Sequence, residues 1–125
     1  ELADRFVILR LAYDPRFFEL PAQLLELEGW PVEEVPQSPE RMGRAAEFVF
    51  RQIVAEEIVH DGDPVLAAHV NAAVWRESDR GRVLSRTKSG GPIDALTAGI
   101  LATYVADVAP AEEEAPPPDL ALSVW

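Results

Sequence analysis

The sequence predicts an α/β layer structure, and three observations carry that prediction. Residues Phe6 to Tyr13 read FVILRLAY, a nearly continuous apolar run of the kind found in strands buried on both faces. A second short run, Val32 to Val35, follows after a helical stretch. Apolar residues then recur at spacings of three and four through Met42, Ala45, Ala46, Val49 and Ile53.

In chain order, Asp14-Pro15 ends the first strand. Pro21 to Glu28 forms a short helix with Leu24, Leu25 and Leu27 on its apolar face, and Gly29 closes it. The first two strands are then expected to lie parallel, since a helix connects them. Ser38-Pro39 supplies an N-cap and a first-turn proline for a helix of about 15 residues. His60-Asp61-Gly62-Asp63-Pro64 reads as a turn in which Asp63 caps a short Ala-rich helix over Val65 to Ala73. Ala73 to Arg76 and Arg82 to Ser85 pair as a hairpin around Asp79-Arg80-Gly81. After the Ser89-Gly90-Gly91-Pro92 loop, a helix runs from Ile93 to about Val105, with Ile93, Leu96, Ile100 and Tyr104 on its buried stripe. Residues 109–125 are acidic and Pro-rich and are expected to be disordered, apart from an apolar ALSVW end whose role the sequence leaves open.

Composition narrows the chemistry. A chain of 125 residues suits one domain, and 48% hydrophobic residues supply a core. No cysteine is present, which excludes disulfides, thiolate metal sites and Cys nucleophiles. The start at Glu1 without Met reads as a fragment or a processed product, and no charged-apolar leader opens it. The net charge of −11 counts against a simple duplex-binding surface. All 11 Lys and Arg precede residue 106, however, while Asp107, Glu112, Glu113, Glu114 and Asp119 lie behind it.

Two acids stand out by position. Asp14 follows the C-terminal end of a buried strand, where ligand sites form in open α/β sheets. Its plainer reading is a turn opener before Pro15. Asp94 sits in the first turn of the last helix, where the helix dipole favours an acid in any case. Together, carboxylates from two elements suit a divalent cation bound through oxygen. Arg82, Arg86 and Lys88 form a basic stretch before Asp94 that is suited to phosphates, or else a solvated hairpin. His60 and His69 with Asp61 and Asp63 read as turn and cap rather than as a metal cluster. Tyr13, Trp30 and Trp75 read as core or rim aromatics. Ser89 has no evident base partner, so hydroxyl nucleophile catalysis is not expected.

The segments LAYDPRFF, LEGWPVEEVPQSPERM, VHDGDPVLAAHVNAAVW and GGPIDALTAGILATYV, in this order, resemble the C-terminal nuclease domain of tailed-bacteriophage terminase large subunits. The resemblance covers roughly residues 6 to 108. It implies an RNase H-like nuclease fold over residues 1–108, incomplete because its N-terminal strands are missing. It also implies a metal-dependent endonuclease that cuts concatemeric phage DNA during genome packaging. Asp14 and Asp94 correspond by pattern to two of the family's metal-binding acids and are the implied catalytic residues, holding Mg²⁺ or Mn²⁺ at one edge of the sheet. The family's first-strand acid has no counterpart here, and no G-x-x-x-x-G-K-[ST] loop occurs. The implied partners are double-stranded phage DNA, the terminase small subunit and the portal, in an oligomeric motor in the bacterial host cytoplasm. Two other readings compete. One is a different RNase H-like nuclease or transposase core. The other is a non-catalytic interaction module acting through the acidic tail.

Overall fold

The computed structural model of the chain describes residues 2–79 and 81–108. The expected disordered tail, including ALSVW, lies outside the described residues. In order, the elements are α1 (Leu2–Arg5), β1 (Leu11–Tyr13), α2 (Pro15–Leu27), β2 (Val32–Glu34), α3 (Pro39–Val54), α4 (Pro64–Ala72), β3 (Trp75–Ser78), β4 (Gly81–Leu84) and α5 (Asp94–Val108).

The α/β layering holds, in the form of two small sheets. β1 and β2 pair in parallel with Ala12 opposite Glu33, as expected from the helix that connects them. β3 and β4 form the antiparallel hairpin, with Arg76 opposite Val83 and Glu77 opposite Arg82. The first strand is shorter than its apolar run implies. Only Leu11 to Tyr13 joins a ladder, while Phe6, Val7 and Leu9 are exposed. Burial on both faces requires neighbours on both sides, and among the described residues β1 pairs only with β2.

The second departure is α2, which begins at Pro15 and not at Pro21. Asp14 is its N-cap, accepting a hydrogen bond from the Arg16 N–H at 3.1 Å, and Pro15 opens the first turn. The dipeptide that ends the strand therefore starts the helix at once. Pro21 falls inside the helix, where its missing N–H leaves one carbonyl of the preceding turn without its usual donor. Ala22 faces inward, and Gly29, at φ +87°, turns the chain toward β2.

α3 forms as its sequence signals require, with Ser38 accepting from the Arg41 N–H at 3.2 Å. Ala45, Ala46 and Val49 pack with Ile100 of α5. Val35, Leu101 and Val105 make a second cluster, and Met42 touches both. α5 thus buries a wider face than the single stripe expected from its sequence, with Thr97, Leu101 and Val105 added to it. Ile53, expected on the buried face of α3, is instead exposed because the helix outruns its partners there. Among the described residues no helix is long and apolar enough to cross a membrane.

Small residues allow these elements to meet. At Gly43, buried in α3, a Cβ would lie 2.8 Å from the Arg82 carbonyl oxygen of β4. Gly99 of α5 has nothing within 4 Å of the same position. The two glycines therefore predict opposite outcomes. Gly99→Ala should raise stability by about 1 kcal/mol through helix propensity alone. At Gly43 an overpacking cost of about 1–3 kcal/mol outweighs that gain, so Gly43→Ala should lower stability. Urea midpoints of the two variants against wild type give the check.

Candidate functional site

Asp14 and Asp94 reach the surface by different routes. Asp14 leaves the C-terminal end of β1 half-buried, its carboxylate fixed by the cap bond to Arg16. Asp94 is exposed in the first turn of α5. Ile93, just before it, has no side-chain acceptor for the free N–H groups of that turn. His69 of α4 supplies one, its Nδ1 accepting from the Ala95 N–H at 2.9 Å. The helix that carries Asp94 is thus capped from a separate helix.

The two carboxylates open on adjoining clefts. One cleft is lined by Asp14, Arg16, Arg76 and Arg86 above a floor that includes Ala12, Val83 and Thr97. The other is lined by Arg10, Arg86 and Asp94 with apolar residues of α5. Ala12, Gln37, Arg86 and Thr97 border both. Among the described residues, Asp14 is the only acid lining the first cleft and Asp94 the only acid lining the second. In a chain of net charge −11 this is a locally basic surface around two acids.

Of the basic stretch expected to face phosphates, Arg86 alone borders these clefts. Arg82 pairs with Glu77 at 3.0 Å and lines a third groove with Arg44, Arg51 and Tyr104. Lys88 is exposed in the turn after β4. Strand alternation explains the split. Arg82 and Glu77 face each other across the hairpin, and the next pair, Arg76 and Val83, points to the other face. Arg76 was legible only through that register. Arg16 had a weaker signal, as a cation in a first helical turn where the dipole disfavours it.

The remaining candidates serve local structure. His60 Nδ1 accepts from the Gly62 N–H, Asp61 accepts from the Asp63 N–H, and Asp63 caps α4 through the Leu66 N–H at 2.8 Å. Among the described residues no group of three or more His, Cys, Asp or Glu is placed to hold a metal. Ser89 donates to the Ser85 carbonyl and accepts from the Val74 N–H, which ties the loop before α5 to the hairpin. Trp75 packs edge-on to Phe50, and Tyr13 packs against Phe18, as rim aromatics. Trp30 is half-buried.

The Tyr13 phenol, in the first cleft, is pushed above its ordinary 10.0 by desolvation, with Glu19, Glu34 and Glu26 adding repulsion. A raised folded-state value means that Tyr13 contributes stability below pH 10, lost as the pH rises through the shifted value. Urea unfolding of wild type should therefore weaken at strongly alkaline pH, and Tyr13→Phe should flatten that loss. His69→Ala should cost about 1 kcal/mol, the usual cost of losing a cap acceptor. Thermal melts near neutral pH measure it.

Residues 2–109 match the family described as terminase large subunit, endonuclease domain. The fold is similar to the crystal structure of the HK97 bacteriophage large terminase, with a TM-score of 0.74 at 22% sequence identity. The likeness covers 83% of this chain and 22% of that one. No curated protein matches.

Proposed function

Because this chain belongs to the family of terminase large-subunit endonuclease domains, we propose that it is the metal-dependent DNA-cutting portion of a viral packaging motor. The reading rests on one observation above all. Two carboxylates from different elements open on adjoining clefts whose shared border carries Arg86, with Arg16 and Arg76 beside Asp14.

The donor chemistry fits a hard divalent cation such as Mg²⁺ or Mn²⁺, which takes carboxylate oxygens. Asp14 and Asp94 would hold it, each able to offer an oxygen to the cleft. The bound ion would supply an activated water and charge neutralisation at a phosphodiester. The chain's own part is positional. The cap bond to Arg16 orients the Asp14 carboxylate, and the His69 bond fixes the turn that carries Asp94. Arg16, Arg76 and Arg86 would hold backbone phosphates, contacts that set register without reading sequence. Concatemeric phage DNA is the proposed substrate, and the small subunit and portal are the proposed partners, in the host cytoplasm.

Two acids are few for a shell that demands near-octahedral geometry. On this reading a further acid would come from strands of an RNase H-like sheet beyond β1. This chain alone is therefore expected to nick plasmid DNA poorly, and a form extended by those strands to cut with Mg²⁺ or Mn²⁺. In the extended form, Asp14→Ala and Asp94→Ala should each reduce the rate on the order of 100-fold or more. Arg76→Ala and Arg86→Ala should weaken DNA binding and reduce the salt slope by about one each, while Arg82→Ala should not. Undiminished cutting by the extended form after both Asp substitutions would sink the site assignment and favour a non-catalytic interaction module.

A further inference from the structure

The cleft that holds Asp14 carries rings as well as charges. Tyr13, Phe17 and Phe18 line it together with Arg16, Arg76 and Arg86. Two of the rings lean on each other, Tyr13 and Phe18, with centroids 6.0 Å apart. Phe17 has no ring partner among the described residues and is 95% exposed in the first turn of α2. Three residues past Asp14, it stands about 5 Å further along the helix axis. The guanidinium groups are uncommitted as well. Arg10, Arg44 and Arg82 pair with Glu33, Glu40 and Glu77, but among the described residues no ion pair holds Arg16, Arg76 or Arg86.

Phosphates account for the arginines but not for the ring. A duplex keeps the faces of its bases stacked inside and offers a protein only phosphates, sugars and base edges. A phenyl group beside it has no flat surface to meet. An unpaired base does present a free face. We propose that this cleft takes DNA as an unpaired strand, with one base stacked on Phe17 while Arg16, Arg76 and Arg86 hold the neighbouring phosphates. The proposal rests on the nuclease reading and narrows its substrate. A basic track beside an aromatic platform is the combination by which single strands are bound without regard to sequence. Tyr13 and Phe18, packed on each other, form a wall of the cleft, and the free ring is the platform. An apolar protein surface fits worse, because it would cover three unpaired cations and strip their water without replacing it. For duplex DNA the consequence is local. The strand beside Asp14 must open by about one nucleotide before it seats, which costs least at an end, a nick or a mismatch.

Fluorescence anisotropy in EDTA, where no cutting occurs, tests this at low salt. The probe is a labelled strand of about 12 nucleotides, free or annealed to its complement. Charge alone would favour the duplex, whose phosphates are denser along the axis. Tighter binding of the single strand is expected instead. Phe17→Ala should weaken single-strand binding roughly 5- to 100-fold, the contribution of one stacked base, and leave duplex binding unchanged. Phe17→Tyr should retain the affinity, and Phe17→Leu should lose it as alanine does. Because the ring is exposed, circular dichroism should be the same for all three. A fully abasic strand should bind wild type and Phe17→Ala alike. Equal or tighter binding of the duplex, together with indifference to Phe17→Ala, overturns the proposal. So does full affinity in Phe17→Leu, which would mean apolar contact without stacking. If Arg76→Ala and Arg86→Ala weaken binding while Phe17→Ala does not, stacking fails and the phosphate-holding role of the cleft stands. If neither form of DNA binds, both readings fail together.

Discussion

The close approach of α3 to β4 and α5 is the constraint on which the rest of the arrangement depends. It is made by the absence of side chains. Gly43 lets the backbone of α3 lie against the Arg82 carbonyl, and Ala45 and Ala46, both almost fully buried, let α5 settle alongside. The hairpin takes its position from that contact, and so do Arg76 and Arg86. α5 takes its position from the same helix and carries Asp94 to the border of the clefts. Large side chains at these positions would move the hairpin and α5 away from α3, and the two clefts would no longer share a border.

Each acid is held by a different device. The hydrogen bonds from the Leu11 N–H to Pro31 and from the Val35 N–H to Tyr13 frame the short parallel ladder that ends at Asp14. Asp94 depends on α4 through His69, and on the loop that Ser89 fastens to Val74 and Ser85 at the base of the hairpin. The clefts are thus bounded by elements from both halves of the chain, and Met42 links the two apolar clusters beneath them.

Local signals were legible where they were self-contained. Ser38-Pro39 and Asp63-Pro64 each joined a cap to a first-turn proline, and both helices start there. The parallel pairing of β1 with β2 followed from the helix between them. Asp14-Pro15 misled because the same dipeptide serves a turn and a helix start, and only the chain beyond it distinguishes the two. The FVILRLAY run announced apolarity, but apolarity does not specify a ladder, and Phe6 to Leu9 have no partner strand among the described residues. In the candidate site, the acids drew notice by position and the resemblance joined them. Arg76 and the cap from His69 depend on tertiary register that no local window contains, and Arg16 offered only the weak local sign of a cation in a first helical turn.

Among the described residues no large side chain is fully buried; the innermost positions belong to alanine, with valine, isoleucine and leucine around them. Such a core provides little free energy above what chain ordering costs. A protein with a small folding surplus is governed by mass action. Whatever binds the native form alone draws the folding equilibrium toward it by an amount that grows with the logarithm of ligand concentration over its dissociation constant. Cation, nucleic acid and a covering partner would each act on that equilibrium. The midpoint of thermal unfolding therefore becomes a titration curve for any of them, readable without following catalysis at all.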